Sequence, residues 1–199
     1  MKKQGAFICV EGIDASGKTT HAHRLVKNLK NRGLDAIYTT EPTRDEIGKM
    51  IKTQILRGKK RVPSVVEALL FAVDRVNHVE REIKPALKEG KIVVSDRYLH
   101  SSLAYQGAAG LDLQWIREIN KHAISPDLAI YIDVPPGVVI QRMRWKKLSV
   151  MESLETQRKV REVYMKLVQG GELVYVEGNR PKREVEKNIL NIVLEFLKK

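Results

Sequence analysis

Short apolar segments alternate with longer amphipathic ones along the 199-residue chain. The short apolar segments are typical of buried strands. The longer amphipathic segments repeat their apolar residues at helical spacing. Strand and helix in alternation predict an α/β fold, with a five-stranded parallel sheet covered by helices on both faces. The predicted strands are residues 6–11, 35–40, 91–95, 128–134 and 172–176.

The predicted helices connect these strands without any long structureless stretch. They cover residues 18–31, 47–56, 63–88, 101–105, 112–122, 153–168 and 181–197, and Pro135-Pro136 opens a further one. The helix over 63–88 continues past Pro85 and carries apolar residues at Val66, Leu69, Leu70, Val73 and Val76. No repeat, linker or low-complexity tract interrupts the chain, so we expect one domain over 1–199.

Composition narrows the function classes. The formal net charge is +12, but acidic residues are interleaved with the basic ones, and the densest basic clusters are residues 59–61 and 142–147. Such a balance suits either nucleic acid or two phosphorylated substrates, and we expect the latter. The single cysteine, Cys9, lies in the first predicted strand, which excludes an internal disulfide framework. Without a long apolar run or a signal-peptide pattern, we expect a cytoplasmic protein with no membrane contact.

Residues 12–19 follow the first strand with the spacing G-x-x-x-x-G-K-T of a phosphate-binding loop. Its glycines let backbone N–H groups face a polyphosphate, and the next helix adds its positive dipole end. Lys18 can reach the β- and γ-phosphates, and the Thr19 hydroxyl can bind Mg²⁺. The loop predicts nucleoside triphosphate binding by Gly12, Ile13, Asp14, Ala15, Ser16, Gly17, Lys18, Thr19 and Thr20.

A second group of polar residues, Asp96-Arg97-Tyr98, ends the third predicted strand. In a parallel sheet the strand C-termini line the ligand crevice, so these residues should lie beside the phosphate-binding loop. There Asp96 can hold Mg²⁺ through its water shell, and Arg97 can bind a phosphate through two parallel hydrogen bonds. Without the phosphate-binding loop, Asp96-Arg97-Tyr98 could equally be explained by a buried ion pair at the end of a strand.

Together these motifs resemble the thymidylate kinase family, whose members phosphorylate dTMP with ATP. The resemblance runs from Glu11 to Pro136, and it includes Leu70 to Arg75, Ala104-Tyr105-Gln106 and the segment from Pro126 to Pro136. It implies the P-loop nucleoside monophosphate kinase fold with strand order 2-3-1-4-5 and a short lid over about residues 142–152. It also implies a homodimer formed through the helices around residues 63–80.

For the acceptor site, the resemblance implies that Phe71 stacks on thymine and that Arg75 hydrogen-bonds its carbonyl edge. Without the resemblance, the neighbouring leucines would favour a core position for Phe71. Arg97 would hold the dTMP phosphate, and Tyr105 would line the deoxyribose. The full expected set of substrate-binding residues is Asp14, Arg44, Phe71, Arg75, Arg97, Tyr98, Tyr105, Gln106 and Glu152.

For the donor side, the resemblance implies that Arg142 stacks on adenine and that Arg180 borders the same ring. Lys18, Asp96 and Arg97 would be catalytic, with Mg²⁺ held by Thr19 and Asp96. Some family members carry an arginine where this chain has Ala15, so a cation from the lid is expected instead. The first candidate is Arg144, with Lys146 and Lys147 as alternates.

One departure from the family concerns the loop after the second strand. Bacterial members commonly place an arginine before the Glu-Pro pair, where this chain has Thr40 before Glu41-Pro42. Arg44 is the candidate replacement, and a solvated arginine at a helix start is the alternative. Two other functions stay open at this point: another nucleotide or nucleoside kinase, such as thymidine kinase, and a nucleic-acid-binding NTPase.

Overall fold

Five parallel strands form the centre of the fold. The computed structural model describes residues 5–56, 62–143 and 153–198. The strands in this part of the chain are β1 (Ala6–Glu11), β2 (Ala36–Thr40), β3 (Ile92–Asp96), β4 (Leu128–Asp133) and β5 (Val174–Glu177). They pair in the order β2-β3-β1-β4-β5, and every neighbouring pair is parallel. The fold class and the strand order are therefore confirmed.

Helices cover both faces of this sheet. They are α1 (Lys18–Lys30), α2 (Glu46–Met50), α3 (Ser64–His78), α4 (Lys84–Lys88), α5 (Leu99–Ala108), α6 (Leu113–Ile119), α7 (Pro136–Arg142), α8 (Leu154–Gln169) and α9 (Lys182–Phe196). Because the sheet is covered on both faces, the central strands are apolar nearly throughout. All six residues of β1 are buried, as are all five of β3.

Several element bounds differ from the predicted ones. β3 begins and ends one residue later than predicted, so Asp96 is its last residue and lies opposite Val10 of β1 and Thr40 of β2. The predicted helix over 63–88 is helical from Ser64 to Lys88, but Val79–Ile83 between α3 and α4 is π-helical. Pro85 has no N–H and crowds the preceding turn, and a wider turn just before it accommodates the loss of that hydrogen bond.

The apolar stripe of α3 lies on the surface. Val66, Leu69 and Val73 are 41%, 44% and 52% exposed. The opposite face of the helix is buried, yet it carries charged and polar side chains, namely Glu67, Asp74, Arg75 and His78. Helical periodicity identified the stripe but could not show that the polar face is the one directed at the protein interior.

Among the described residues, no helix is both long and apolar enough to span a bilayer.

A buried histidine on α5 predicts a loss of stability in acid. Burial, together with Arg117 and Arg75, lowers the pKa of His100 from 6.5 to about 4. Between these two values the unfolded chain binds a proton that the folded protein does not, so stability falls as the pH falls through this window. We expect the free energy of unfolding to decrease by roughly 3 kcal/mol from this group between pH 7 and pH 4.

The measurement is denaturant unfolding at several pH values. His100→Gln should lose correspondingly less stability than the parent protein over the same range. His122→Gln, at an exposed position, should behave like the parent. Equal acid losses in all three proteins would contradict the prediction.

Candidate active site

The loop between β1 and α1 has the curled backbone that a polyphosphate requires. Gly17 has φ +95°, and the non-glycine residue Ala15 also adopts a positive φ of 54°. At Gly12, a Cβ would lie 2.5 Å from Ser16 Oγ and 2.9 Å from the Ile132 carbonyl oxygen, so only glycine fits there. The loop is closed by the Ser16 N–H, which donates to the Ile13 carbonyl over 3.2 Å.

Lys18 is held inside this loop. Its ammonium donates to the Ile13 carbonyl over 3.2 Å and lies 4.0 Å from Asp14 Oδ1. Burial, followed by the nearby positive charge of Arg97, lowers the pKa of Lys18 to about 8. An incoming anion would offset both effects, so the loop is electrostatically suited to phosphate.

Asp96 connects the start of α1 with the end of β3. Its Oδ2 accepts hydrogen bonds from the Thr19 hydroxyl over 2.5 Å and from the Tyr38 hydroxyl over 3.3 Å. Its Oδ1 is buried and has no hydrogen-bond partner among the described residues. A hydroxyl oxygen and a carboxylate oxygen in contact, with a further carboxylate oxygen unused, are the ligand types that Mg²⁺ prefers. Thr19 and Asp96 therefore fit this ion.

Arg97 lies directly after β3 and faces the phosphate-binding loop. Its backbone adopts φ +73°, which is uncommon for a residue with a side chain. The guanidinium donates to the Gly12 carbonyl over 3.2 Å, to Asp14 Oδ1 over 2.6 Å and to the Tyr105 hydroxyl over 3.2 Å. Burial alone would raise the pKa of Asp14, but Arg97 and Lys18 outweigh it, so the pKa of this carboxyl is lowered.

Glu11, a buried carboxylate that the sequence reasoning missed, is linked to Arg97 through the Ser101 hydroxyl. Glu11 accepts hydrogen bonds from the Ser101 and Tyr164 hydroxyls over 2.6 and 2.9 Å, and from the Tyr98 N–H over 2.8 Å. Ser101 Oγ in turn accepts from Arg97 over 3.0 Å. Burial raises the pKa of Glu11 although all three donors oppose the shift. A charged residue at the end of an apolar strand was the signal that could have revealed it.

Gln157 on α8 is a second residue that sequence reasoning missed. It is fully buried. Its Oε1 accepts from the Asp14 N–H and its Nε2 donates to Asp14 Oδ2, both over 3.3 Å. One amide thus contacts both the backbone and the side chain of the loop aspartate. Nothing in the spacing of α8 distinguishes this glutamine, because the contact joins residues 143 positions apart.

The other residues predicted to contact the acceptor include members of α3 and α5, two helices that contact each other. Phe71 on α3 is half-buried and lies outside the hydrophobic core cluster. Tyr105 on α5 lies with its ring 4.9 Å from the Arg97 guanidinium. The next residue, Gln106, is buried and donates from Nε2 to Glu67 Oε1 over 2.9 Å. Tyr105 therefore lies next to Arg97, and Gln106 connects α5 with α3.

Comparison with known proteins identifies the family. The thymidylate kinase family model matches residues 10–189. The chain is 40% identical over 199 residues to the probable thymidylate kinase of Thermococcus gammatolerans, covering 95% of this chain and 96% of that protein. The probable thymidylate kinase of Pyrococcus abyssi is 43% identical over 197 residues, with 96% of each chain covered. The chain belongs to the thymidylate kinase family.

Two residues assigned to the acceptor by the family resemblance are fully enclosed. Arg75 is 1% exposed. Its guanidinium donates to Glu41 over 2.9 Å, to Asn120 over 2.5 Å and to Ser102 over 3.0 Å. Tyr98 is buried against Phe7, with ring centroids 4.9 Å apart. For these two thymidylate kinase positions, contact with a substrate stays a prediction.

Three further predicted residues, Arg44, Arg142 and Arg180, lie in the described part of the chain. The Arg44 guanidinium is 5.7 Å from the centre of the Tyr38 ring. Arg142 ends α7 and donates to the Ala15 carbonyl of the phosphate-binding loop over 3.2 Å. Arg180 is exposed and paired with Glu177 over 2.8 Å. The other lid candidates lie outside the described residues: Arg144, Lys146, Lys147 and Glu152.

Proposed function

We propose that this protein is an enzyme that transfers the γ-phosphoryl group of ATP to dTMP, which yields ADP and dTDP for dTTP biosynthesis. Family membership and the names of the relatives support this proposal. We further propose a single kinase domain over 1–199 with a lid at about 142–152, working in the cytoplasm on small-molecule substrates rather than on nucleic acid.

One observation carries the proposal: Arg97 lies against the phosphate-binding loop. A phosphate held by this guanidinium would lie next to the γ-phosphate of a nucleotide bound in the loop, because Arg97 donates to the Gly12 carbonyl over 3.2 Å. Donor and acceptor phosphates would then be in reach of each other, which is the main requirement for direct transfer.

The transfer needs positioning and positive charge more than covalent chemistry. An oxygen of the acceptor phosphate forms a bond to the γ-phosphorus, and the bond from that phosphorus to the β–γ bridging oxygen breaks. The acceptor phosphate is already ionised near neutral pH, so no general base is required. Lys18 and Arg97 neutralise the developing charge from two sides. The lid cation, with Arg144 as first candidate, would add a third.

Thr19 and Asp96 would hold Mg²⁺. Mg²⁺ held there would supply positive charge that offsets part of the charge of the phosphates. The Tyr38 hydroxyl, which also donates to Asp96, would keep this carboxylate oriented. Burial, followed by the charge of Asp96, raises the pKa of Tyr38 to about 12, so its proton stays in place at physiological pH.

The base would lie between α3 and α5. A half-buried ring at Phe71 outside the core supports stacking on thymine, and Tyr105 beside Arg97 supports contact with the sugar. On the donor side, the contact of Arg142 with the Ala15 carbonyl supports a position over the bound nucleotide. Arg44, Arg75, Tyr98, Gln106, Glu152 and Arg180 complete the proposed set.

A coupled assay of ATP turnover with Mg²⁺ tests the function. The acceptors are dTMP, dUMP, dCMP, dGMP, AMP and thymidine, with a reaction lacking acceptor as baseline. Strong preference for dTMP is the expected result. Turnover of thymidine alone would indicate a nucleoside kinase instead. Acceptor-independent hydrolysis that increases with added RNA or DNA would indicate a nucleic-acid-binding NTPase.

We also propose a homodimer that forms through the exposed stripe of α3. A contiguous apolar patch of this kind on a helix marks an interaction surface. Val73→Lys, at the most exposed of these positions (52%), is expected to convert a dimer into a monomer in light scattering at unchanged helicity. Tyr175→Lys is the control, because Tyr175 is 43% exposed on β5, away from the stripe. Equal solution masses for both variants would contradict the proposed interface.

A further inference from the structure

A buried carboxylate and a buried amide face each other where α3 packs against α5. Glu67 and Gln106 are each 2% exposed, and Gln106 Nε2 donates to Glu67 Oε1 over 2.9 Å. Neither the phosphate chemistry nor the core packing requires this pair. It lies one helical turn before Phe71 on α3 and next to Tyr105 on α5.

This contact determines which way the Gln106 amide is oriented. An amide can present either its carbonyl oxygen or its NH₂ group to a neighbour, and the two orientations are sterically almost equal. A carboxylate only accepts hydrogen bonds, so Glu67 requires the NH₂ group on its own side. The Gln106 carbonyl oxygen is then directed away from Glu67.

In the part of the chain that the structure describes, no group donates a hydrogen bond to that carbonyl oxygen. Gln106 Oε1 is buried and has no hydrogen bond among the described residues. A buried acceptor without a donor costs free energy, which a ligand can recover if it supplies an N–H at that place. The orientation imposed by Glu67 therefore favours a ligand with a donor over one with an acceptor.

We propose that Glu67 is a positioning residue that makes the site select pyrimidine bases carrying a hydrogen on N3. Resting on the proposed function, this inference identifies how the acceptor base is chosen. Thymine and uracil have an N3–H donor, whereas the N3 of cytosine is an acceptor. Gln106, held by Glu67, would accept a hydrogen bond from the N3–H of thymine or uracil. The N3 of cytosine would instead face the Gln106 carbonyl oxygen, and neither atom could donate.

The test compares dTMP with 5-methyl-dCMP, which keeps the methyl group but lacks the N3 hydrogen. Glu67→Gln places an amide next to Gln106 that can donate as well as accept, so either orientation of Gln106 becomes possible. We expect the ratio of kcat/KM for dTMP to that for 5-methyl-dCMP to fall at least about tenfold, since sites built around one hydrogen bond reject mismatched analogues strongly. The ratio for dTMP to dUMP, which share the N3 hydrogen, should stay nearly constant.

Two further variants make the result decisive. The exchanged pair Glu67→Gln with Gln106→Glu restores an amide-to-carboxylate hydrogen bond and again leaves only an acceptor for the base, so it should recover the preference for dTMP. Glu80→Gln, which changes an exposed carboxylate in the turn after α3, should leave every ratio unchanged. Folding of each variant is checked by thermal melting.

An unchanged dTMP to 5-methyl-dCMP ratio in folded Glu67→Gln would overturn the inference. If that variant does not fold, a folded exchanged pair without preference for dTMP overturns it equally. A loss of discrimination against dUMP as well would indicate loosened packing rather than a positioning role, and it too would overturn the inference. Failure of the proposed function is recognised separately, because the parent protein would then not turn over dTMP.

Discussion

Replacing Arg97 by alanine is expected to lower the turnover of dTMP by about 10³-fold, the effect typical of an arginine that stabilises phosphoryl transfer. In the structure this guanidinium contacts both the phosphate-binding loop and Tyr105. Its removal would leave the acceptor phosphate without a fixed partner and the transferring group with less positive charge around it. Steady-state kinetics with saturating ATP and varied dTMP measure the loss.

Folding has to be separated from chemistry in this experiment. Alanine at position 97 must adopt the same positive φ of 73°, and Asp14 loses one of its two ion pairs, so a modest decrease in stability is expected as well. Arg97→Lys keeps a charge but not the paired hydrogen bonds, and it should recover only part of the activity. Arg117→Ala removes an exposed arginine paired with Glu172 and should be fully active. Normal dTMP turnover in a folded Arg97→Ala protein would refute the role assigned to Arg97.

Asp96→Asn is expected to lower turnover by roughly 10²-fold or more and to raise the Mg²⁺ concentration needed for half-maximal activity, because it removes the charged ligand of the ion. The side chain stays the same size, so the contact with Thr19 can persist in altered form. Titration of activity with Mg²⁺ at fixed ATP separates the two effects. Binding of an ATP analogue without metal should change little.

Tyr38→Phe is the matched control for this variant. It removes one hydrogen bond to the same carboxylate oxygen without altering the charge. The expected decrease in apparent Mg²⁺ affinity is at most about 10-fold, at the low end for a group that orients a metal ligand. If Asp96→Asn and the parent protein required the same Mg²⁺ concentration, Asp96 would not hold the ion.

Periodicity and turn chemistry predicted the sheet and most of the helices, because each strand is a distinct apolar run between glycine, proline or charged residues. They did not predict the π-helical segment Val79–Ile83, since a π-helical turn has no sequence signature of its own. Periodicity also did not predict that the charged and polar face of α3 is the buried one. Arg75 and His78 are enclosed together with Glu41. Its Oε2 lies 2.7 Å from Arg75 Nη2, and its Oε1 lies 3.1 Å from His78 Nδ1. These contacts join residues 34 and 37 positions apart in the sequence.

For the candidate site, local spacing predicted that the loop motif and the end of β3 lie side by side, and the contacts of Asp96 with Thr19 and of Arg97 with Gly12 confirm this. The supporting residues Glu11, Tyr164 and Gln157 escaped prediction, since each acts through partners in a different element. Only folding shows that Tyr164 on α8 and Ser101 on α5 converge on one carboxylate. Residues expected to take part in chemistry are therefore easier to predict from the sequence than the residues that hold them in place.

The position of β3 has a consequence for how this chain can change over evolutionary time. The strand is paired on both sides and ends in Asp96, and Arg97 follows at once. A slip of one residue would turn Asp96 to the opposite face of the sheet, and transfer between phosphates tolerates displacements of only about 1 Å. Substitutions at buried positions such as Val93 would therefore disturb the candidate site wherever they shift the register of β3. Only side chains that keep the strand in register would leave Asp96 and Arg97 where they are.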